Sequence, residues 1–177
     1  MAIGTDNSTL TSLTGRAAAF DDPSTGLVDI DGSFLGWPDV HLQVSNLAGS
    51  LVELGIEPGD RICVAHPRST ASFIAVHAIL HAGAVMVPLD PLGPPGALSD
   101  VVAAVEPAAI IGATQTLIQR LSAHIESAGQ LVVHHGDSAP IVELGADPTR
   151  LVDFGRAVST PSGVTLPVVQ PDRKSVV

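Results

Sequence analysis

Short apolar runs alternate with amphipathic helical segments between residues 61 and 134, and this alternation limits the chain to few folds. The predicted strands are Arg61–Ala65, Val85–Leu89, Ala109–Ile111 and Leu131–His134. They are short and continuously apolar, which is typical of strands buried on both faces. Strands that alternate with helices form βαβ units, so we predict an α/β fold: a mostly parallel sheet with helices on its faces.

The segments between the strands carry apolar residues at helical spacing. Ser69–His81 is apolar on more than one face, and Ala97–Val105 has apolar residues at i, i+3, i+4 and i+7. Thr114 caps a further predicted helix. The apolar side of that helix consists of Leu117, Ile118, Leu121 and Ile125. The longest apolar stretch, Phe73–Leu89, is interrupted by histidine, glycine and proline, so we interpret it as a helix and a strand, with no membrane span.

A hairpin and a long helix precede this region. Gly26–Ile30 and Ser33–Leu35 flank Asp31-Gly32, a pair that favours a type I′ turn because both residues tolerate positive φ. The helix is predicted from Pro38 to Leu54, with Gly55 ending it. We therefore divide the chain into an N-terminal segment (1–25), an α/β subdomain (26–136) that begins with the hairpin, and a loop-rich tail (137–177).

The tail is rich in proline, glycine, serine, threonine and aspartate. We expect at most a short turn or helix near Asp147–Phe154, within a long and weakly ordered segment.

The charge balance excludes some partners. The chain has 18 acidic and 8 basic residues, a formal net charge of −10, so it repels nucleic-acid backbones. The single cysteine, Cys63, can form neither an internal disulfide nor a zinc site alone, and its apolar neighbours predict a buried side chain. The polar N-terminus has no apolar signal core, so we expect a soluble cytoplasmic protein.

Several histidines are candidates for a site. His77 and His81 lie four residues apart on a predicted helix, which could begin a metal site, but no third ligand follows, so we favour a packing role. His134 and His135 are adjacent on a predicted strand and should point to opposite sides.

His66 and Arg68 follow the first strand of the predicted parallel sheet. Ligand crevices in such sheets lie at the carboxyl ends of the strands. These two side chains are the best candidates to face a ligand, although a loop role without a ligand is the simpler interpretation.

The order of motifs between residues 26 and 111 resembles the AMP-forming adenylating enzymes, which include acyl-CoA synthetases and the adenylation domains of peptide synthetases. The Trp37-led helix runs into Leu54–Ile62, which reads LGIEPGDRI and is similar to the family's turn into a strand. Phe73–Val85 resembles the family's helix ending in "aGav", and Met86–Pro91, MVPLDP, resembles its "yvPlDP".

The resemblance implies a function for the family as a whole. Its members activate a carboxylic acid with ATP to give an acyl adenylate and pyrophosphate, with magnesium assisting. They then pass the acyl group to the thiol of coenzyme A or of carrier-protein phosphopantetheine. Fatty, aryl and amino acids all remain open as substrates.

The family's glycine-rich ATP loop, with its Gly-x-Pro-Lys-Gly motif, has no counterpart here. Leu166–Asp172 follows the family pattern and Arg173–Val177 departs from it, while the only lysine is Lys174. Ser159–Thr165 resembles a phosphate loop superficially, but it has one glycine and no lysine, so we interpret it as a linker. We therefore expect an N-terminal fragment that is inactive alone, and we assign no catalytic, cofactor-binding or metal-binding residue.

Two other functions remain open. The chain could be a non-catalytic interaction module that dimerises or docks through an exposed apolar sheet face. It could also bind a nucleotide at the carboxyl edge of its sheet, although no glycine fingerprint supports this.

Overall fold

A computed structural model describes residues 9–20, 22–113, 117, 121, 130–135 and 150–169. A short 3-10 turn, Leu10–Ser12, leads into helix α1. The strands are β1 (Gly26–Val28), β2 (Phe34–Gly36), β3 (Arg61–Val64), β4 (Val85–Pro88), β5 (Ala109–Ala113), β6 (Leu131–His134) and β7 (Leu151–Asp153). The helices are α1 (Leu13–Ala18), α2 (Trp37–Glu53), α3 (Thr70–His81), α4 (Pro95–Val105) and α5 (Phe154–Ser159).

The main sheet has the strand order β4-β3-β5-β6-β7, and every described pairing in it is parallel. β1 and β2 form a separate antiparallel hairpin. The predicted α/β fold is thus confirmed, and the predicted strands and helices between residues 61 and 113 agree with the observed ones within two residues. The helix predicted after Thr114 lies outside the described residues except at Leu117 and Leu121, which are both buried.

Residues along each central strand alternate between two cores. Ile62 and Val64 of β3 face the core that includes α2, α3 and α5, whereas Cys63 faces the core that includes α4. β5 and β6 alternate in the same way, and Leu117 and Leu121 complete the second core. Among the described residues, the central strands β3, β5 and β6 are therefore covered on both faces, whereas docking through an exposed sheet face remains a prediction.

The hairpin prediction is correct in place and wrong in turn type. Gly32 has φ +84°, but Asp31 does not have the positive φ that a type I′ turn requires. The Gly32 N–H donates to the Asp29 carbonyl at 3.0 Å, and the Asp29 N–H donates to the Ser33 carbonyl at 2.9 Å. The Asp31 carboxylate accepts from the Ser33 N–H at 2.8 Å. This local bond favours a turn with only the glycine left-handed, because aspartate side chains readily build such turns.

α2 begins at Trp37, one residue before the predicted start, and its buried stripe includes Val40, Val44, Leu47 and Leu51. Gly55 follows the helix with φ +92°, as predicted. α3 also begins as predicted, since the Ser69 side chain accepts from the Ser72 N–H and caps the helix.

The predicted tail contains more regular structure than the short turn or helix expected near Asp147–Phe154. β7 adds to the sheet beside β6, and α5 buries Phe154, Ala157 and Val158 against the α2 side of the core. Neither element has a long periodic pattern, so their stability comes from contacts with distant residues. The proposed boundary at residue 136 remains a prediction, since residues 136–149 lie outside the described part.

Candidate functional site

The strand order creates a switch point between β3 and β5. From β3 the chain proceeds to β4 on one side of it, and β5 then pairs on the other side. In open parallel sheets, ligands bind beyond the carboxyl ends of the strands at such a point. His66 lies just past the end of β3, where the sequence predicted a ligand-facing residue.

Two histidines and a phenylalanine meet at this edge. The Nε2 atoms of His66 and His135 are 2.9 Å apart, and one donates to the other according to which ring carries the proton. The ring centroids lie 4.6 Å apart, at 84°. The Phe154 ring packs against both imidazoles, with centroids 5.4 Å from His66 and 4.6 Å from His135. We call these three residues the histidine-pair site.

The strand between the two histidines makes room for them. β5 has a register shift between Ile111 and Ala113, and Gly112 has φ +84°. A Cβ atom on Gly112 would lie 2.5 Å from Cδ2 of His66 and 3.0 Å from the Ala65 carbonyl oxygen. The bulge and the missing side chain therefore let the His66 ring cross the end of β5 and reach His135.

Burial changes the protonation of the pair. Removal from water, with a smaller effect of the neighbouring His135, lowers the pKa of His66 to about 4. Partial removal of the ring from water also lowers the pKa of His135, an effect that the Asp153 carboxylate opposes and His134 reinforces. Both imidazoles therefore stay neutral at lower pH than free histidine does, because desolvation penalises the charged form.

Arg68, the other predicted ligand-facing residue, lines a separate cavity of about 280 Å³ between the hairpin and the start of α3. The Asp29 carboxylate already occupies the helix end there, accepting from the Thr70 N–H at 2.9 Å. That hydrogen bond is the main cause of a lowered pKa at Asp29.

The histidines of α3 serve packing. The His77 ring lies 4.3 Å from the Phe73 ring, and His81 contacts His41 with centroids 6.2 Å apart. The part of the chain that the structure describes contains no group of three or more His, Cys, Asp or Glu side chains able to hold a metal ion. The ring contacts of His77 and His81 agree with a packing role.

The remaining sequence candidates also find structural roles. Cys63 is fully buried, as predicted, and burial raises the pKa of its thiol to about 11. His134 is buried and His135 is exposed, which agrees with the prediction that they point to opposite sides. No helix among the described residues is long and apolar enough to span a membrane.

The segment Ser159–Thr165, which superficially resembles a phosphate loop, packs on α2 through Ser162. The Ser162 hydroxyl donates to the Glu53 carboxylate at 2.7 Å and accepts from the Val164 N–H at 3.1 Å. Ser162 also lies over Gly49, where an added Cβ would be 2.3 Å from the serine Cβ. A phosphate would face the Glu53 carboxylate here, so this segment does not fit a nucleotide phosphate.

The family model for AMP-binding enzymes matches residues 15–171. This chain belongs to the AMP-binding enzyme family. The resemblance of the motifs between residues 26 and 111 is confirmed by that match, which covers both the hairpin and the main sheet.

Two relatives show how much of a longer protein this AMP-binding family member matches. Enterobactin synthase component F of Shigella flexneri is 42% identical over 82 residues, which is 46% of this chain and 6% of that protein. Novobiocin biosynthesis protein H of Streptomyces niveus is 35% identical over 106 residues, 60% of this chain and 18% of that protein. The chain thus spans less than a fifth of the length of either relative.

A solved structure shows the same fold. The benzoate CoA ligase from Burkholderia xenovorans LB400 superimposes with a TM-score of 0.69 at 20% identity, covering 88% of this chain and 29% of the ligase. At this identity the match concerns the fold alone.

His66 lies at the sheet edge, as the sequence predicted. Its neighbours there, His135 and Phe154, were not predicted. His135 lies 69 residues further along, and the two meet only because β3, β5 and β6 are adjacent in the sheet. Phe154 was missed because the sequence predicted only a short turn or helix near Asp147–Phe154 and no packing of this ring against the sheet edge. A histidine directly after a buried strand, repeated at His66 and His135, is the one sequence signal that could have linked them.

Proposed function

We propose that this chain is the N-terminal portion of an ATP-dependent acid-activating ligase. The family match over residues 15–171, together with the parallel sheet, carries the proposal. The full-length reaction would join a carboxylic acid to AMP with release of pyrophosphate, and would then transfer the acyl group to a thiol of coenzyme A or carrier phosphopantetheine. Magnesium would assist the first step.

The motif residues of this chain act as scaffold in that proposal. The Glu57 N–H donates to the Asp60 carboxylate at 2.9 Å, which holds the turn into β3. The Asp90 carboxylate accepts from the Leu92 N–H at 2.9 Å, which holds the turn after β4. Asp60 and Asp90 occupy positions that resemble family motifs, and their carboxylates therefore hold the turns next to β3 and β4.

We also propose that the chain is inactive alone. Ser162 is bonded to a carboxylate, and Lys174 is the only lysine and lies outside the described residues. Nucleotide phosphates require backbone N–H groups and a cation, and the described residues offer no such arrangement at Ser159–Thr165.

ATP–pyrophosphate exchange tests this directly. We expect the purified chain to show no exchange above background with fatty, aryl or amino acids. Acid-dependent exchange well above a heat-denatured control would show that the chain is catalytic by itself.

An interaction module is the second candidate, and an apolar groove favours it. The groove has a volume of about 460 Å³, lies beside α1 and is lined by Leu13, Phe20 and Trp37 among others. Phe20 is 76% exposed in the described part of the chain, and exposed apolar surface of this kind marks interaction sites. Sedimentation equilibrium distinguishes the candidates, because a compact monomer at high concentration would contradict self-association.

A further inference from the structure

We propose that the histidine-pair site binds one divalent transition-metal ion of the zinc class through the Nε2 atoms of His66 and His135. The proposal concerns a ligand that differs from magnesium and does not depend on the ligase function. Imidazole nitrogen suits zinc, nickel and copper, whereas magnesium prefers oxygen ligands.

The distance between the two nitrogens is close to that of a metal site. A tetrahedral zinc ion with bonds of 2.0–2.1 Å to nitrogen separates two ligand atoms by roughly 3.3 Å. The Nε2 atoms of His66 and His135 are 2.9 Å apart and face each other across a hydrogen bond. The separation of the two Nε2 atoms would widen slightly when the ion replaces the shared proton.

The fold holds both rings in this orientation. His66 and His135 follow β3 and β6, which pair on either side of β5, so the sheet sets where the two segments that carry them begin. The bulge at Gly112 removes the side chain that would otherwise displace the His66 ring. The Phe154 ring packs against both imidazoles and restricts their rotation. Ligands held in place before binding lose less conformational freedom when the ion arrives.

The expected ion is exchangeable. Two protein ligands are fewer than the three or four of catalytic and structural zinc sites, so water would complete the coordination. Among the described residues, no third His, Cys, Asp or Glu side chain completes the group. Asp153 is near enough to affect His135, but its carboxylate accepts from the Arg156 N–H at 2.8 Å and caps α5.

The test is a zinc titration of the whole chain at pH 7.5 against a chromophoric chelator, with magnesium in excess. We expect one saturable site in the unaltered chain. His66→Gln and His135→Gln should each weaken binding at least about tenfold, since each removes one of two ligands. His41→Gln is the matched control and should bind as the unaltered chain does.

Three results would overturn the proposal: no saturable binding, binding that both variants retain, or binding that His41→Gln abolishes. His135 is exposed, so His135→Gln should fold, and circular dichroism checks this. If His66→Gln were to unfold, zinc-induced shifts of the His135 imidazole resonances in the unaltered chain would decide the question. Absence of those shifts would count against the site.

Discussion

Asn46 of α2 donates a hydrogen bond from Nδ2 to the backbone carbonyl of Val158, 112 residues further along the chain, at 2.9 Å. Both residues are buried, so this bond satisfies an amide and a carbonyl that water cannot reach. This hydrogen bond joins α5 to the core, although every strand of the main sheet lies between Asn46 and Val158 in the sequence.

Asn46→Ala should therefore lower the free energy of unfolding by about 1–3 kcal/mol, because it leaves the Val158 carbonyl without a partner. Urea denaturation followed by circular dichroism measures this. Ser45→Ala is the control, since the described hydrogen bond of the Ser45 hydroxyl goes to the His41 carbonyl one turn back, and it should change stability by less than about 0.5 kcal/mol. Equal effects of the two substitutions would contradict the role given to Asn46.

Gly49→Ala should destabilise the chain despite alanine's higher helix propensity. Propensity alone would stabilise by about 1 kcal/mol. The new methyl would instead meet the Ser162 Cβ at 2.3 Å, and overpacking of this kind costs about 1–3 kcal/mol.

Two further variants test the cause at Gly49. Gly96→Ala in α4 meets no atom within 4 Å, so it should not destabilise the helix. Ser162→Gly combined with Gly49→Ala should recover part of the loss. A stabilising Gly49→Ala would show that Ser162 does not lie over α2.

Gly112→Ala should be among the most destabilising single substitutions. Alanine is strained at φ +84°, and its Cβ would approach both the His66 ring and the Ala65 carbonyl oxygen. We expect a loss of about 2–4 kcal/mol, as strain and steric terms add. Adding His66→Gly should relieve the contact with the ring and leave the backbone strain, so a double variant as stable as the unaltered chain would be inconsistent with this geometry.

Stability should fall as the pH is lowered through the histidine range. Burial lowers the pKa of His77 below its usual 6.5, and its Nδ1 has no hydrogen-bond partner in the described structure. Below pH 6.5 the unfolded chain gains a proton that the folded chain resists, so stability present at pH 7.5 is lost on acidification.

His77→Leu should reduce the difference in unfolding free energy between pH 7.5 and pH 5.5. Phe73→Leu is the control, because it removes the same ring contact and no titrating group. It should leave the pH dependence unchanged. An identical pH dependence in His77→Leu and the unaltered chain would exclude His77 as a source of the effect.

Much of the fold could be predicted because its signals are local. α2 and α3 have apolar stripes and end residues, Gly55 and Ser69, that mark where a helix stops or starts. β7 and α5 could not be predicted in this way, because they span only three and six residues and depend on distant contacts such as Asn46 to Val158.

Only one member of the histidine-pair site could be predicted, because the rest of the site depends on contacts between distant residues. The position of His66 follows from one strand and a general property of parallel sheets. Its pairing with His135 depends on strand order, and the space for the pair depends on a bulge at Gly112 that no local pattern indicates. The Asp31-Gly32 turn was mistaken because the Asp31 side chain bonds the Ser33 N–H and keeps Asp31 out of the left-handed region.

The most direct test of the central claim is ATP–pyrophosphate exchange by a chimera. Residues 15–171 would replace the corresponding segment of the Burkholderia xenovorans benzoate CoA ligase, and exchange would be measured with benzoate on folded, monodisperse protein. If these residues form the N-terminal scaffold of an acid-activating ligase, the chimera should retain benzoate-dependent exchange that the isolated chain lacks. A folded chimera without exchange would contradict that account.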